Sequence, residues 1–459
     1  MSSPTGSSLT EAEAFLHAHP DIDAIDIVLT DGNGVGRGKI IRRHELERLY
    51  KAGRALPTSI LGLDITGEDV DETGLVWDTG DGDQVAWPLP GTLKALHGTR
   101  RAQVLMSMFE HDGSPARADP RGALVRQVEA LEREGLRAAG AFELEFFLLD
   151  DKRDRDGRVQ PAGAVVDGRR SAKTEVYSVD HLHGMEPLIA DIYAAAAVQG
   201  LPVETLISEY APGQYELTLH YRNDILQAAD DLVMLKRLVR AQARRHGVTA
   251  CFMAKPFPDH AGSGMHLHVS VRDRADRNIF SEPVPGEWSA NLLNALGGLI
   301  ATMGESMLVF APHANSWRRF VSQSYAPVSP TWGVNNRSVA LRVPAGDVGA
   351  RRIEHRPSGV DANPYLVAAT VLAGIRKGLA EQSDPGPQVV GNGYAAEAPA
   401  RRMPADWRSA IEMARESDFL KDALGPDMHR VFTAVKTAEY LRVARTVTEL
   451  DFHLYLHEV

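Results

Sequence analysis

The sequence predicts an α+β protein in which a small β-rich N-terminal part joins a larger mixed part. One change of hydrophobic period, and the turn that marks it, carry this expectation. Between residues 21 and 110 the period is that of strands: Ile25, Ile27 and Leu29 alternate with Asp26, Val28 and Thr30. The turn-forming run Asp31-Gly32-Asn33-Gly34 follows, and Lys39-Ile40-Ile41 resumes the extended pattern. After Asp119-Pro120 the period becomes helical, with Leu124, Val125, Val128 and Leu131 on one face, Asp119 placed as N-cap and Pro120 in the first turn. The turn-like segment His111-Asp112-Gly113-Ser114-Pro115 then marks a boundary near Gly113. The expected organisation is a Ser-rich extension over 1–19, disordered or helical, a β-rich domain over 20–112, and a catalytic domain over 113–459.

Within the larger part, helices are expected over about 183–199, 223–246, 289–309, 364–382 and 427–446. Short strands are expected at 141–149, 249–253, 265–271, 339–343 and 352–355. Residues 150–158 read as a charged, solvated loop and 384–400 as a Pro/Gly-rich loop. The run Gly32, Gly34, Gly36, Gly38 is read as a β-turn rather than a phosphate loop, because no helical pattern follows it directly.

Composition narrows the function classes. The chain has 459 residues and a net charge of −11 from 50 basic and 61 acidic side chains, which argues against a nucleic-acid-binding face. Cys251 is the single cysteine, so neither an intrachain disulfide nor a cysteine-built metal site is available, and a reducing compartment fits. It sits in the apolar run Val248–Met253 and reads as a buried small hydrophobe. The N-terminus lacks the basic start and apolar core of a signal peptide. The best membrane-span candidate, Ile189–Val198, contains Asp191 and reads as a buried helix. A cytoplasmic protein with neither membrane nor nucleic-acid partner is expected.

Four segments carry chemistry. In Phe142-Glu143-Leu144-Glu145-Phe146, two carboxylates at i and i+2 of an apolar strand point to one face, where they repel unless a cation lies between or beside them. Met265-His266-Leu267-His268-Val269-Ser270 projects two imidazoles and a hydroxyl in the same way. Glu209 and Glu216 flank the Pro212-Gly213 turn, and Glu354 stands between Arg352 and Arg356. A lone Glu-x-Glu is usually a solvated strand face, and His-x-His is often a pair of surface histidines. Five carboxylates and a histidine together in apolar strands point instead to bound divalent cations, with oxygen-rich ligation favouring Mg²⁺ or Mn²⁺. Two such ions suit phosphoryl transfer. Arg318, Arg319, Arg337, Arg342, Arg351, Arg352 and Arg356 add fork-shaped donors for carboxylate and phosphate.

These segments, in this order, resemble the glutamine synthetase superfamily. The resemblance covers about residues 20–455 and includes Phe252-Met253-Ala254-Lys255-Pro256, Gly262-Ser263-Gly264-Met265-His266, Asn315-Ser316-Trp317-Arg318-Arg319, Asn336-Arg337-Ser338 and Asn363-Pro364-Tyr365. It implies the glutamine synthetase fold, an N-terminal β-grasp domain plus a C-terminal mixed α/β catalytic domain. It also implies ring-shaped homo-oligomers, usually dodecamers, with active sites between subunits. By position, Glu145, Glu209 and Glu216 would hold a first metal, and Glu143, His266 and Glu354 a second. Gly262, Arg319 and Arg356 would bind glutamate. Arg337 and Arg342 would act catalytically on the phosphates, and with Tyr221, His268, Ser270 and Arg352 they would form the nucleotide site. ATP would phosphorylate the γ-carboxylate of L-glutamate, and a nitrogen nucleophile would then attack the acyl phosphate.

The chain departs from ammonium-using members at two positions where the family has acids. Leu56 stands at one, in the loop Leu56-Pro57-Thr58-Ser59-Ile60 that the resemblance implies comes from the neighbouring subunit, and Tyr325 at the other, in the flap Ser324-Tyr325-Ala326-Pro327. A desolvated ammonium ion lacking both carboxylates is disfavoured by several kcal/mol. An amine pocket formed by Leu56, Ser59 and Tyr325 suits a primary amine with a carbon chain, and the wording of these segments is similar to the γ-glutamylputrescine and γ-glutamylpolyamine synthetase branch. The alternatives are another amine (ethanolamine, an aromatic or an alkyl amine), ammonium itself, and a non-catalytic homologue. The last predicts lost metal ligands, yet all six positions hold Glu or His. Ala261 replaces a frequent Asn, which is harmless if backbone groups bind there. The acidic stretch between Asp64 and Asp83 is either a solvated loop or an attractor for polyamines.

Overall fold

The computed structural model describes residues 3–163, 173–282, 284, 286–395 and 403–459, and the backbone alone of two short strands between 164 and 172. Met1 and Ser2 of the expected extension, and the last five residues of the loop expected over 384–400, lie outside the described residues.

The first sheet is built from β1 (Ala24–Thr30), β2 (Gly36–Arg42), β3 (Arg54–Pro57), β4 (Asp83–Pro88), β5 (Lys94–Ala95) and β6 (Arg101–Phe109), in the order β2-β1-β6-β4-β3 with β5 also on β6. The glycine-rich run is the turn and second strand of the β1–β2 hairpin, as its composition predicts. The next strands are β7 (Leu136–Asp150), β8 (Val165–Val166), β9 (Arg169–Arg170), β10 (Val203–Ser208), β11 (Gln214–Leu219) and β12 (Val248–Cys251). They are followed by β13 (Met265–Asp273), β14 (Trp332–Val334), β15 (Leu341–Val343) and β16 (Ile353–His355). Apart from the β8–β9 ribbon, these form a second sheet in the order β10-β11-β7-β13-β16-β15-β14, with β12 on β7.

Alternation decides how this second sheet is seated. Phe142, Leu144 and Phe146 of β7 and Met265, Leu267, Val269 and Val271 of β13 are buried against the helices. Each such side chain contributes roughly 1.5–3 kcal/mol by burial. The intervening Glu143 and Glu145, and His266, His268 and Ser270, are thereby forced onto the opposite face. A one-residue slip would bury the acids and expose the core, so register is strongly specified.

The expected helices are present as Glu186–Gln199, Ile225–Arg245, Ala290–Phe310, Pro364–Glu381 and Pro426–Arg445. Asp119 caps the helix Pro120–Arg133, accepting from Arg121 N at 2.9 Å, and also accepts from Ser107 Oγ of β6. The extension carries a helix, Leu9–Ala18; Trp407–Glu416, Asp418–Leu424 and Glu449–Tyr455 are helices that no clear periodicity announced.

The membrane expectation needs one correction. Ala290–Phe310, not Ile189–Val198, is long and apolar enough to cross a bilayer, with a mean hydropathy of 1.4 over its best window, 67% of which is buried inside the fold. It packs on Pro364–Glu381 at close range. A Cβ at Gly298 would lie 2.2 Å from the Gly374 carbonyl oxygen, so glycine is required at this helix–helix contact. The β1–β2 hairpin is tied to the helix Pro426–Arg445 through fully buried Lys436, which pairs with Glu439 at 2.9 Å and donates to Asn33. Glu439 also accepts from Ile65 N at 2.8 Å.

Candidate active site

Five adjacent strands present the candidate residues as one row. Cross-strand pairs Glu216–Glu145, Glu143–His266, His268–Glu354 and Glu354–Arg342 run from β11 through β7, β13 and β16 to β15. Glu209 follows β10 at the entrance to the turn that leads into β11. The β10–β11 hairpin was absent from the sequence reading, although its Pro-Gly turn and flanking acids were visible.

Donor atoms of Glu145, Glu209 and Glu216 lie within 4.8 Å of one another, as do those of Glu143, Glu216 and His266 and those of Glu143, His268 and Glu354. The first group is the set expected for one metal. The second expected set is split between the other two groups, and His268 enters it. His266 Nδ1 stands 3.1 Å from Glu143 Oε2 and 4.0 Å from Glu354 Oε1.

Charge at this row is unbalanced in a way that fits divalent cations. Burial, reinforced by Glu145, pushes the Glu209 carboxyl up to about 7. Burial and then the neighbouring Glu143, Glu145 and Glu209 push Glu216 up to about 10. Among the described residues, Arg337 is the one positive group acting on Glu209 and it does not offset the burial and repulsion, which is the condition a metal site creates. Glu143 differs: burial alone would raise it, but His268 and His266 outweigh that and hold it well below the usual carboxylate range. Glu354 is likewise held down to about 2, with the Arg356 guanidinium overcoming burial. Its oxygens accept from Arg342 at 2.5 Å and from Arg356.

These shifts set a sign for pH. Glu209 and Glu216 titrate above the ordinary 4.5, so the metal-free fold holds extra protons and loses stability as pH rises from about 4.5 through the raised values. A bound cation replaces those protons and gains affinity over the same interval. We expect saturating Mn²⁺ to raise Tm by several degrees more at about pH 8 than at about pH 6. Equal shifts in scanning calorimetry at the two pH values would contradict this account.

Hydrogen bonds fix the histidine orientations. Arg352 Nε donates to His268 Nδ1 at 3.1 Å, which places the imidazole proton on Nε2, 2.8 Å from Glu143 Oε1. Gly264 N donates to Glu145 Oε2 at 2.6 Å. A Cβ at Gly264 would come within 2.7 Å of an Arg319 nitrogen and 2.9 Å of His266 Nε2, so the backbone must be bare there.

A cavity opens on each side of the row. One, of about 340 Å³, is lined by Glu145, Glu209, His266, Gly262, Arg319 and Arg356, and by Tyr210, Gln214, Lys255, His260 and the Gln323–Ala326 segment. Arg319 and Arg356 are both about 5% exposed, and burial together with Arg356 lowers the Arg319 guanidinium. Arg356 Nε has no partner among the described residues. Two crowded, buried guanidiniums facing one cavity call for an anion. The other cavity, of about 530 Å³, is lined by Glu143, His268, Ser270, Tyr221 and Arg352, with Glu204 and His220 at its margin. Tyr221 Oη lies 2.8 Å from Ser270 Oγ. Arg337 is exposed in the Asn335–Ser338 turn and acts electrostatically on Glu209; Arg342 reaches Asn335 Oδ1 at 2.8 Å.

The expected amine pocket is only partly assembled. Tyr325 is 60% exposed beside the smaller cavity, with its carbonyl accepting from Arg356 at 3.4 Å. Leu56 pairs with Gln84 across β3–β4 and its side chain, 1% exposed, packs in the hydrophobic core of its own chain. Ser59 is also buried, in the turn after β3, and neither lines either cavity of this chain. Their positions along the chain gave no information about which way the side chains point. Cys251 is buried, as its apolar run predicts.

Comparison with known proteins agrees with this architecture. Residues 117–455 match the family model for the glutamine synthetase catalytic domain. The chain is 39% identical to a gamma-glutamylputrescine synthetase of Escherichia coli, over 98% of this chain and 95% of the relative. It is 31% identical to a glutamate–isopropylamine ligase of a Pseudomonas species, over 99% of both. Among solved structures, the GmaS/ADP complex superposes with a TM-score of 0.83 at 26% identity, covering 96% of this chain and 98% of that one. The chain belongs to the glutamine synthetase family.

Proposed function

We propose that this chain is an ATP-dependent ligase that joins the γ-carboxylate of L-glutamate to a primary amine, putrescine or another polyamine, by way of γ-glutamyl phosphate. The observation that carries this is the pair of cavities on either side of one row of carboxylates and histidines whose donor atoms are grouped closely enough to hold metal ions. The smaller has buried arginines for a dicarboxylate, and the larger opens on the side of Ser270 and Arg352. The relative at 39% identity is named for glutamate and putrescine, and the one at 31% for glutamate and isopropylamine, both alkyl amines.

In this scheme Arg319 and Arg356 hold glutamate, with the Gly262 backbone beside it, and orient its γ-carboxylate toward the row. Tyr221, His268, Ser270 and Arg352 hold ATP. Glu145, Glu209 and Glu216 would hold one divalent ion, and Glu143, His266 and Glu354 another. When bound, Mg²⁺ or Mn²⁺ neutralises charge on the phosphoryl group in transfer. Arg342 and Arg337 approach the same group. In the second step the amine nitrogen bonds to the acyl carbon, the C–O bond to phosphate breaks, and phosphate leaves with the electron pair. Tyr325 meets the carbon chain of the amine.

The domains in this reading are a β-grasp domain over 20–112, preceded by the extension 1–19, and a catalytic domain over 113–459. The enzyme works in the cytoplasm as a ring-shaped homo-oligomer, a dodecamer. Exposed Leu450, Phe452, Leu454, Tyr455 and Leu456 near the C-terminus support assembly, because they form apolar surface that another copy would cover.

The test is phosphate release with ATP, glutamate and a panel of putrescine, longer polyamines, alkyl amines, ethanolamine and ammonium, confirmed by the mass of the γ-glutamyl product. No amide with any amine would overturn the reading. Arginine geometry gives a second check. Arg356→Lys keeps the charge but removes the fork, and should raise the glutamate KM about tenfold. A change in amine KM alone would place Arg356 elsewhere.

A further inference from the structure

The Gln323–Ala326 segment, which carries Tyr325 over the glutamate cavity, is unusually demanding to hold in place. Gln323 (φ 64°) and Tyr325 (φ 60°) both adopt the left-handed region, a conformation that non-glycine residues occupy only when their surroundings impose it. Among the described residues, two hydrogen bonds reach this segment from distant parts of the chain. Arg356 donates to the Tyr325 carbonyl at 3.4 Å, and Tyr394 Oη donates to the Ala326 carbonyl at 3.0 Å. The first is long and comes from a residue already assigned to glutamate. The second comes from a residue that no motif singled out.

Tyr394 is itself firmly placed. Its loop is stitched to β14 by Val389 N donating to Trp332 O at 2.9 Å and Trp332 Nε1 donating to Gly386 O at 3.0 Å. It is then fastened to the Asn335–Ser338 turn: Asn336 Nδ2 donates to Gly391 O, and Gly393 N donates to Ser338 Oγ, each at 2.8 Å. That turn carries Arg337. One loop therefore bridges the phosphate-facing turn and the segment over the glutamate cavity.

We infer that Tyr394 is a positioning residue for the amide-forming step: its hydrogen bond to Ala326 holds Tyr325 where an amine, rather than water, meets the acyl phosphate. This rests on the ligase reading above. The two fates of the acyl phosphate share a leaving group. Attack by the amine nitrogen forms the C–N bond, releases phosphate and leaves a proton to be lost from nitrogen. Attack by water forms a C–O bond, releases phosphate and returns glutamate. A segment that drifts from the cavity mouth admits water, so ATP is spent without amide.

The experiment compares phosphate released with amide formed in the full-length enzyme and in Tyr394→Phe, which removes only the hydroxyl. Losing one neutral hydrogen bond shifts such a placement about fivefold, so the phosphate-to-amide ratio should rise by about that factor. Amine KM should rise with it, while glutamate and ATP KM stay as in the parent. Gly393→Ala gives an independent handle, because a Cβ there would lie 2.6 Å from Ser338 O and push the loop off the turn. It should raise the ratio in the same direction. A merely structural defect would lower total turnover and leave the ratio unchanged, and that result in both variants would overturn the inference. A parent enzyme that makes no amide with any amine would instead sink the ligase reading.

Discussion

Glu145→Ala is expected to abolish amide formation, by at least about a thousandfold, without unfolding the protein. The size follows from charge: neutralising the phosphoryl group in transfer is worth several kcal/mol, and each 1.36 kcal/mol is about tenfold in rate. Glu145 is central to the row, opposite Glu216 across β11–β7 and within the donor group that includes Glu209. The stability arm is less intuitive. Glu145 raises the carboxyls of both Glu209 and Glu216, so removing it relieves repulsion among buried acids in the metal-free protein. Against this stands the lost acceptor for Gly264 N, worth about 1 kcal/mol. The metal-free variant should therefore melt close to the parent, while its stabilisation by Mn²⁺ is largely lost. Retained activity, or retained stabilisation by Mn²⁺, would remove Glu145 from the metal site.

Ammonium is expected to be at least about a hundredfold poorer than putrescine in kcat/KM, because several kcal/mol of desolvation go uncompensated where Tyr325 replaces an acid. Tyr325→Ala should raise amine KM about tenfold and leave glutamate KM unchanged, since on the proposed reading the ring would give apolar and cation–π contact to the amine alone. Tyr325→Glu should narrow the gap between ammonium and putrescine. Restoring an acid at Leu56 as well is a poor design, because a carboxylate in that core position costs several kcal/mol and would test folding instead. Efficient glutamine formation from ammonium by the unmodified enzyme would overturn the selectivity argument. Activity with ethanolamine or benzylamine but not with diamines would keep the pocket and reject polyamines.

The parts of this site that were legible in the sequence share a physical cause. Glu143 with Glu145, and His266 with His268, announce a common face because strand geometry makes i and i+2 neighbours whatever else the fold does. Asp119-Pro120 announces a helix start through local capping chemistry. What was not legible lacked a local cause. Leu56 occupies an informative position, but its side-chain direction is set by the pairing of β3 with β4, a long-range event. Tyr394 sits in an aperiodic loop held by side-chain hydrogen bonds to residues more than fifty positions away, and no spacing encodes such contacts. In the β10–β11 hairpin only β10 lacks clean alternation, its register shifting between Val203 and Leu206; β11 alternates Tyr215, Leu217 and Leu219 with Gln214, Glu216 and Thr218 and was legible.

The two cavities on opposite sides of the carboxylate row also bear on traffic. The larger cavity takes Glu143 and His268 of the row into its lining and the smaller takes Glu145, Glu209 and His266, so ligands in the two would meet at the row. On the proposed reading, nucleotide and glutamate would approach the row from different cavities, so each could bind while the other is in place.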